Sequence, residues 1–274
     1  MKSRGPDAIK AVVNVGYDFA FTPGQYIYPY FPRLNFWESH PFTIAAYDNS
    51  NNQPKVTVLF RVHSGVTKKL WKHLQTGAKT LSCYVEGPYG HYSPVDKYDN
   101  VLLLAGGIGI TAIFPYLRHL AQLQVNRIRF IWVVRDEDSI LWFKDEITEL
   151  AATQNVQIEV YITKTGSTAG KVEVATNRIS RDLQVKSDEI GNQSAEVVSA
   201  KEIETCKHLF AQHIFVGSKP SLHEVISNQV VAAGSLSVLA CGPDTFVDDA
   251  RRAVVDNVNV AAGVVDYYEE SFTW

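Results

Sequence analysis

The residues best placed to do chemistry are glycines at the end of an apolar run. Val101-Leu-Leu-Leu-Ala105 leads into Gly106-Gly107-Ile-Gly109-Ile-Thr111-Ala112, so Gly107, Gly109 and Ala112 fill the three small-residue places of a GxGxxG/A pattern. Such a strand end lets the backbone approach a pyrophosphate closely. The helix start that follows offers free N–H groups and the positive end of a dipole to the anion. Alone, the pattern fits a tight strand-to-helix turn with no ligand as well. A second apolar run ends Trp132-Val-Val-Arg135-Asp136, where a dinucleotide site reads the adenosine ribose. Arg135 there favours a 2′-phosphate and so NADPH, whereas Asp136, Glu137 and Asp138 would accept the free hydroxyls of NADH; the arginine leads. Lys219, in Gly217-Ser-Lys-Pro220, offers a second cation to that phosphate or is a solvated surface lysine. A last run delivers Ala240-Cys241-Gly242-Pro243 to the same kind of edge. Cys241 would then lie near a nicotinamide, the other reading being a small apolar core residue.

The first half of the chain holds a second constellation. His40-Pro41-Phe42-Thr43 combines a rigid backbone, an aromatic face and one hydroxyl. Phe42 could stack on a ring and Thr43 bond a ring nitrogen, or both could be barrel core. Arg61, His63, Gly65 and Thr67 cluster where a strand passes into a helix, and a guanidinium with helical N–H groups holds a second pyrophosphate. Two phosphate sites imply two dinucleotides. No HExxH, CxxC or close histidine spacing suggests a metal, and hydride transfer needs no protein general base.

These residues must be held by two kinds of element. Up to about residue 95 short β segments separated by turns predict a small β-barrel: Ile9–Val15, Gln25–Tyr30, Phe42–Tyr47, Lys55–Val62 and Thr80–Glu86. An amphipathic helix from Val66 to about Gln75 would cap it, with Leu70, Trp71 and Leu74 on one face. From residue 97, apolar strands (Val101–Leu104, Ile128–Val134, Val156–Ile162, Ile214–Val216, Val238–Ala240) alternate with helices at about Thr111–Gln124, Ser139–Thr153, Ser221–Ala232 and Asp244–Val255. That alternation predicts a doubly wound α/β domain. The expected division is a barrel over 1–96 and an α/β nucleotide domain over 97–274, with a polar, mobile insertion at 164–208.

The bulk numbers agree. A chain of 274 residues suits two cores, and 46% hydrophobic residues is the content of a globular protein. A formal charge of −3 provides no basic field, which argues against nucleic acid as a partner. Three cysteines, Cys83, Cys206 and Cys241, do not make a disulfide framework and fit a reducing compartment. The most apolar run, Val101–Phe114, is shorter than the roughly 18 to 20 residues needed to span a bilayer. The first residues lack a signal-peptide core, so export is not expected.

Taken in order, His40-Pro-Phe-Thr43, Gly65-Val-Thr67, Glu86-Gly-Pro-Tyr-Gly90, Gly106-Gly-Ile-Gly-Ile-Thr111, Cys241-Gly-Pro243 and the ending Phe272-Thr-Trp274 resemble the ferredoxin reductase superfamily. The His-Pro-Phe-Thr form, the Phe130–Asp136 strand and the Glu-Glu-Ser-Phe-Thr-Trp ending resemble, within it, fungal ferric-chelate reductases and more distantly NADPH oxidases. The resemblance implies FAD on the barrel, with Phe42 and Thr43 at its ring and His40, Pro41, Arg61, Gly65 and Thr67 around it. It implies NADPH across Gly106, Gly107, Gly109, Thr111, Arg135, Lys219, Cys241, Gly242 and Pro243, and an aromatic, Trp274 or Phe272, covering the flavin. Thr43, Cys241 and Trp274 would be the residues nearest the chemistry. Hydride from NADPH would pass to FAD and single electrons onward, to a haem-containing membrane domain or a ferric chelate. Such relatives carry a membrane-helix bundle with two haems before the barrel. The expected location is therefore the cytosolic face of a membrane when so joined, and the soluble cytoplasm for the chain by itself. The rival readings are a soluble flavin reductase with a diffusible acceptor and a non-catalytic, truncated nucleotide-binding module.

Overall fold

The computed structural model describes residues 2–3, 8–35, 37–77, 80–123, 125–151, 153–164, 214–232 and 234–271. The first half forms two antiparallel sheets. β1 (Lys2–Ser3), β2 (Ala8–Asn14), β6 (Lys55–Arg61) and β5 (Ala46–Asp48) lie in the order β1-β2-β6-β5. β3 (Tyr26–Tyr30) is flanked by β4 (Phe42–Thr43) and β7 (Tyr84–Tyr89). Alternation does the folding work: Ile9, Ala11 and Val13 of β2 and Val56, Val58 and Phe60 of β6 point into one apolar core with Ile27, Ile44 and Phe31. Helix α1 (Gly65–Gln75) closes it, with Val66 and Leu70 buried, as the apolar face of the sequence predicts.

Two barrel expectations need correction. The stretch Phe42–Tyr47 is not one strand: Phe42–Thr43 pairs with β3, and Ala46–Asp48 pairs with β6. Thr43, Ile44 and Ala45 are all buried, and three consecutive buried residues break a period-two alternation, so the chain turns a corner from one sheet to the other. The strand expected at Thr80–Glu86 lies at Tyr84–Tyr89 instead.

The second half is a six-stranded parallel sheet built from β8 (Asn100–Gly106), β9 (Arg127–Val134), β10 (Val156–Ile162), β11 (Ile214–Val216), β12 (Leu236–Cys241) and β13 (Val265–Glu269). Their order is β11-β10-β9-β8-β12-β13. Helices α2 (Ile110–Leu123) and α3 (Lys144–Ala151) pack on one face, α4 (Leu222–Ala232) and α5 (Asp244–Asn257) on the other, giving two apolar layers about the sheet. β13 was not expected. The helix expected over Ser139–Thr153 is a 3₁₀ turn, Glu137–Trp142, followed by α3. Ile140, Leu141, Trp142 and Phe143 are all buried, and four consecutive residues cannot share one α-helical face. Of the insertion expected at 164–208, all but Lys164 lies outside the described residues. No helix among the described residues is long and apolar enough to cross a membrane.

The two halves share a packed boundary. Ala8, Ala45 and Leu59 of the barrel belong to the same buried cluster as α2. Tyr116 of α2 accepts a hydrogen bond from the Ser93 N–H at 3.0 Å and donates to Glu270 at 2.7 Å, and Lys10 of β2 pairs with Glu146 of α3.

Candidate functional site

The strand order reverses direction of travel between β8 and β12, and an open α/β sheet binds its ligand in the crevice outside such a switch point. A cleft of about 680 Å³ lies there, and its opposite wall is the barrel. Gly106, Gly107, Ile108, Gly109 and Thr111 come from the end of β8 and the start of α2, and Gly242, Pro243 and Asp244 from the end of β12. Glu38, His40, Pro41, Phe42 and Thr43 come from the loop into β4, and Arg61, His63, Ser64 and Thr67 from the passage into α1. Both constellations read from the sequence thus face one volume.

The nucleotide wall is built for close approach. Gly107 has φ +55° and no atom within 4 Å of where a Cβ would stand, leaving open backbone toward the cleft. Gly109 is the reverse case: a Cβ there would stand 2.4 Å from the Cys241 carbonyl oxygen, so only glycine lets the turn lie against the end of β12. The Thr111 hydroxyl donates to the Ile108 carbonyl at 3.0 Å and shapes the turn. Trp132, fully buried in β9, donates its indole N–H to the Gly107 carbonyl at 2.9 Å and fixes the loop from beneath. These features fit a dinucleotide pyrophosphate: an unobstructed glycine backbone, a helix start and no acidic side chain in the loop.

On the barrel wall Thr43 is buried but for a small face, and Phe42 packs edge-on against Phe60 at 4.4 Å. That holds one aromatic ring and one hydroxyl at the cleft, as a planar heterocycle requires. The Thr67 hydroxyl accepts from the His63 N–H and donates to the Ser64 carbonyl, both at 3.1 Å, so it organises the passage into α1. Gly65 lies just behind the wall, where an added Cβ would stand 2.4 Å from Glu38 Oε1. Among the described residues no cluster of three or more acidic, histidine or cysteine side chains is arranged to hold a metal ion.

Besides Gly65, the structure separates three expected residues from the cleft surface, Cys241, Arg135 and Lys219. Cys241 is fully buried, in the core layer on the α2 face of the sheet, and it reaches the site only through its backbone beside Gly109. Burial first, and then the carboxylates of Glu270 and Glu269, push its thiol far above the ordinary range, so it stays protonated. Arg135 and Lys219 are exposed at the C-terminal ends of β9 and beyond β11, outside the cleft lining. Lys219 stands 3.7 Å from Asp249. Phe272 and Trp274 lie outside the described residues.

Four contributors escaped the sequence reading: Glu38, Ser64, Asp244 and the Trp132 indole. Glu38 accepts from the Asn35 amide, shares a 3.0 Å hydrogen bond with His40 Nε2, and takes the Val66 N–H at the start of α1. The His40 bond above all, with the Asn35 and Val66 bonds, holds its carboxyl below the usual carboxylate range. A signal for Trp132 did exist, since an indole buried in a strand must find a partner for its N–H.

Two family models match the two halves of the chain. A family model described as a ferric reductase NAD-binding domain matches residues 98–255, and one described as an FAD-binding domain matches residues 6–93. The chain is similar to ferric/cupric reductase transmembrane component 2 of Saccharomyces cerevisiae, 31% identical over 92% of this chain and 35% of that protein. It is similar also to ferric/cupric reductase transmembrane component 1 of Candida albicans, 30% identical over 99% of this chain and 35% of that one. The chain thus spans about a third of the length of these curated relatives. A ferredoxin NADP+ reductase from Neisseria gonorrhoeae, solved with FAD and NADP bound, shares the fold at a TM-score of 0.59 and 13% identity, over 98% of this chain and 94% of that one. With its NAD-binding match covering more than half of the sequence and its FAD-binding match preceding it, the chain belongs to the ferric reductase family and carries that family's FAD-binding and nicotinamide-nucleotide-binding domains.

Proposed function

We propose that this chain is an NADPH-dependent FAD oxidoreductase, the dehydrogenase module of a ferric-chelate reductase. The observation that carries the reading is the single cleft walled on one side by Gly106–Thr111 and Gly242–Pro243 and on the other by His40–Thr43 and Arg61–Thr67. Two dinucleotides bound by those walls bring their reactive rings together, and proximity is most of what hydride transfer asks of a protein. FAD, when bound, supplies the conversion of a two-electron donor into one-electron traffic.

The chain's own residues do the rest. Phe42 and the Thr43 hydroxyl orient the flavin ring from the barrel, while Arg61 and the N-terminal turn of α1 hold its pyrophosphate. The open backbone at Gly107 and the start of α2 hold the nicotinamide dinucleotide, and Arg135 takes its 2′-phosphate. The Cys241 backbone, locked against Gly109, sets the floor beneath the nicotinamide. Cys241 acts there by shape and not as a thiolate, since burial keeps the thiol protonated. The electron acceptor is a haem-containing membrane domain or a ferric chelate, a reading supported by relatives named as transmembrane components of ferric/cupric reductases.

The test is spectroscopic. The purified chain is incubated with FAD, freed of excess, and mixed anaerobically with NADPH or NADH. Bleaching of the flavin's visible absorption, faster with NADPH and losing that preference in Arg135→Gln, is the expected result. Failure to retain FAD, or retention without reduction by either nucleotide, leaves the non-catalytic module as the correct reading.

A further inference from the structure

Three neighbouring strands end side by side at the C-terminal edge of the six-stranded sheet, and their pairing continues past the strands themselves. The Thr163 N–H donates to the Val134 carbonyl at 2.9 Å, the Lys164 N–H to the Arg135 carbonyl at 3.1 Å, and the Gly217 N–H to the Ile162 carbonyl at 2.8 Å. Lys164 is therefore anchored by its backbone directly beside Arg135. Its side chain reaches the next residue of β9's exit, with Nζ donating to Asp136 Oδ1 at 3.0 Å. Arg135 is exposed and has no ion-pair partner among the described residues.

Asp136 is the awkward group in this arrangement. A carboxylate at this strand end accepts the hydroxyls of an unphosphorylated ribose and repels a 2′-phosphate, whereas an arginine welcomes the phosphate. Arg135 and Asp136 are adjacent and pull in opposite directions. The Lys164–Asp136 pair is half exposed, 50% and 44%, and a pair that open contributes little to stability. Its effect on local charge is larger. It engages the acid and leaves the neighbouring guanidinium without an ion pair among the described residues. Lys219 does not duplicate the role, because its own neighbour is Asp249 of α5.

We infer that Lys164 is a specificity-determining residue, which by holding Asp136 leaves Arg135 to receive a 2′-phosphate and so directs the site to the phosphorylated nicotinamide dinucleotide. This rests on the reading of the cleft as a nicotinamide-dinucleotide site. Lys164 acts through Asp136 and is a positioning residue.

Equilibrium binding of NADP+ and NAD+ to the full chain tests it. In Lys164→Gln the freed carboxylate should weaken NADP+ binding on the order of tenfold or more and leave NAD+ binding unchanged or tighter, within the usual range of coupling between sites. Adding Asp136→Asn to that variant should return NADP+ affinity to within about threefold of wild type, the non-additivity that marks two residues acting through each other. A ratio of the two affinities that stays within about twofold of wild type in Lys164→Gln overturns the inference. So does a loss that Asp136→Asn fails to rescue, since that outcome means the lysine touches the phosphate itself. Wild type that binds NADP+ preferentially yet never reduces FAD overturns the functional reading alone; wild type that binds neither dinucleotide overturns both.

Discussion

Replacing Trp132 with phenylalanine measures what holds the phosphate-facing loop in place. The indole is fully buried in β9, and its N–H is given to the Gly107 carbonyl at 2.9 Å. Phenylalanine keeps a ring but removes the donor, and losing the hydrogen bond to the half-buried Gly107 carbonyl costs about 0.5–1.5 kcal/mol. The smaller ring leaves a void worth a further ~1–2 kcal/mol, so about 1.5–3.5 kcal/mol is expected. Trp142 is the control. It is 4% exposed, in the same core, and its Nε1 has no hydrogen-bond partner among the described residues. Trp142→Phe loses similar volume but relieves an unpaired donor, and its net cost should lie near zero to about 1 kcal/mol. For a chain of this size a kcal/mol moves Tm by roughly 2–4 °C, so Trp132→Phe should melt roughly 3–10 °C below Trp142→Phe by calorimetry. The loop should also loosen, with NADP+ binding weakened about threefold to tenfold at a temperature where the variant is fully folded. Equal melting of the two variants, or normal NADP+ binding by Trp132→Phe, would refute the claim that this hydrogen bond sets the loop.

Glu38 places a carboxylate on the N-terminal turn of α1, where the flavin pyrophosphate is proposed to bind, so Glu38→Gln should tighten FAD binding on the order of tenfold in a fluorescence titration; weaker binding would mean that the carboxylate helps hold the flavin. Arg129→Met removes the cation from the 5%-exposed Glu159, whose carboxylate receives Arg129 Nε at 2.7 Å and Nη2 at 3.2 Å and keeps only the Gln157 and Tyr161 hydrogen bonds. A broken buried pair costs about 3–5 kcal/mol, so Tm should fall by roughly 6–20 °C, and Glu159→Gln in the same chain should recover part of it. Glu270 has its carboxyl raised chiefly by burial, opposed by the Tyr116 hydrogen bond and by His91. Its folded form prefers the proton, so its contribution is intact at low pH and is lost as pH rises from about 4.5 through the raised value. Glu270→Gln keeps the Tyr116 bond and should flatten that loss in denaturant titrations above about pH 4.5.

What was legible in the sequence was whatever local chemistry enforces. The β8–glycine–α2 unit and the β12 end at Cys241-Gly-Pro show because a short apolar run bounded by glycine reads as a buried parallel strand, and glycine follows it for steric reasons. Helix α1 shows through Leu70, Trp71 and Leu74. β13 does not, because Val265-Asp-Tyr-Tyr-Glu lies at a sheet edge where no residue is fully buried, and the run mixes charge with aromatic rings. The corner at Ile44–Ala45 and the 3₁₀ turn before α3 were hidden for the opposite reason: an apolar run carries no period, so it cannot announce where the chain bends. In the site, Glu38 looked like a polar loop residue, since nothing local says that α1, some 27 positions on, will present its N-terminus to it. The ion pair of Lys164 with Asp136 spans 28 positions and was equally silent.

The same distinction explains why neither motif specifies the site by itself. The glycine turn positions one wall and the His40–Thr43 corner the other, but each belongs to a different sheet, and the separation between them is set by the boundary that joins the halves. That boundary is partly polar. The Ser93 N–H, the Tyr116 hydroxyl and the Glu270 carboxyl form one hydrogen-bonded chain linking the end of the barrel, α2 and the residue after β13. The Glu270 N–H in turn donates to the Ala240 carbonyl at 3.0 Å, one residue before Cys241, whose backbone touches Gly109. These bonds connect the barrel at Ser93, through Tyr116 and Glu270, to the floor of the nucleotide wall. Hydride transfer falls steeply with misplacement on the order of 1 Å, so the ring-to-ring distance proposed here rests on Tyr116 and Glu270 as well as on the glycines that a sequence pattern can find.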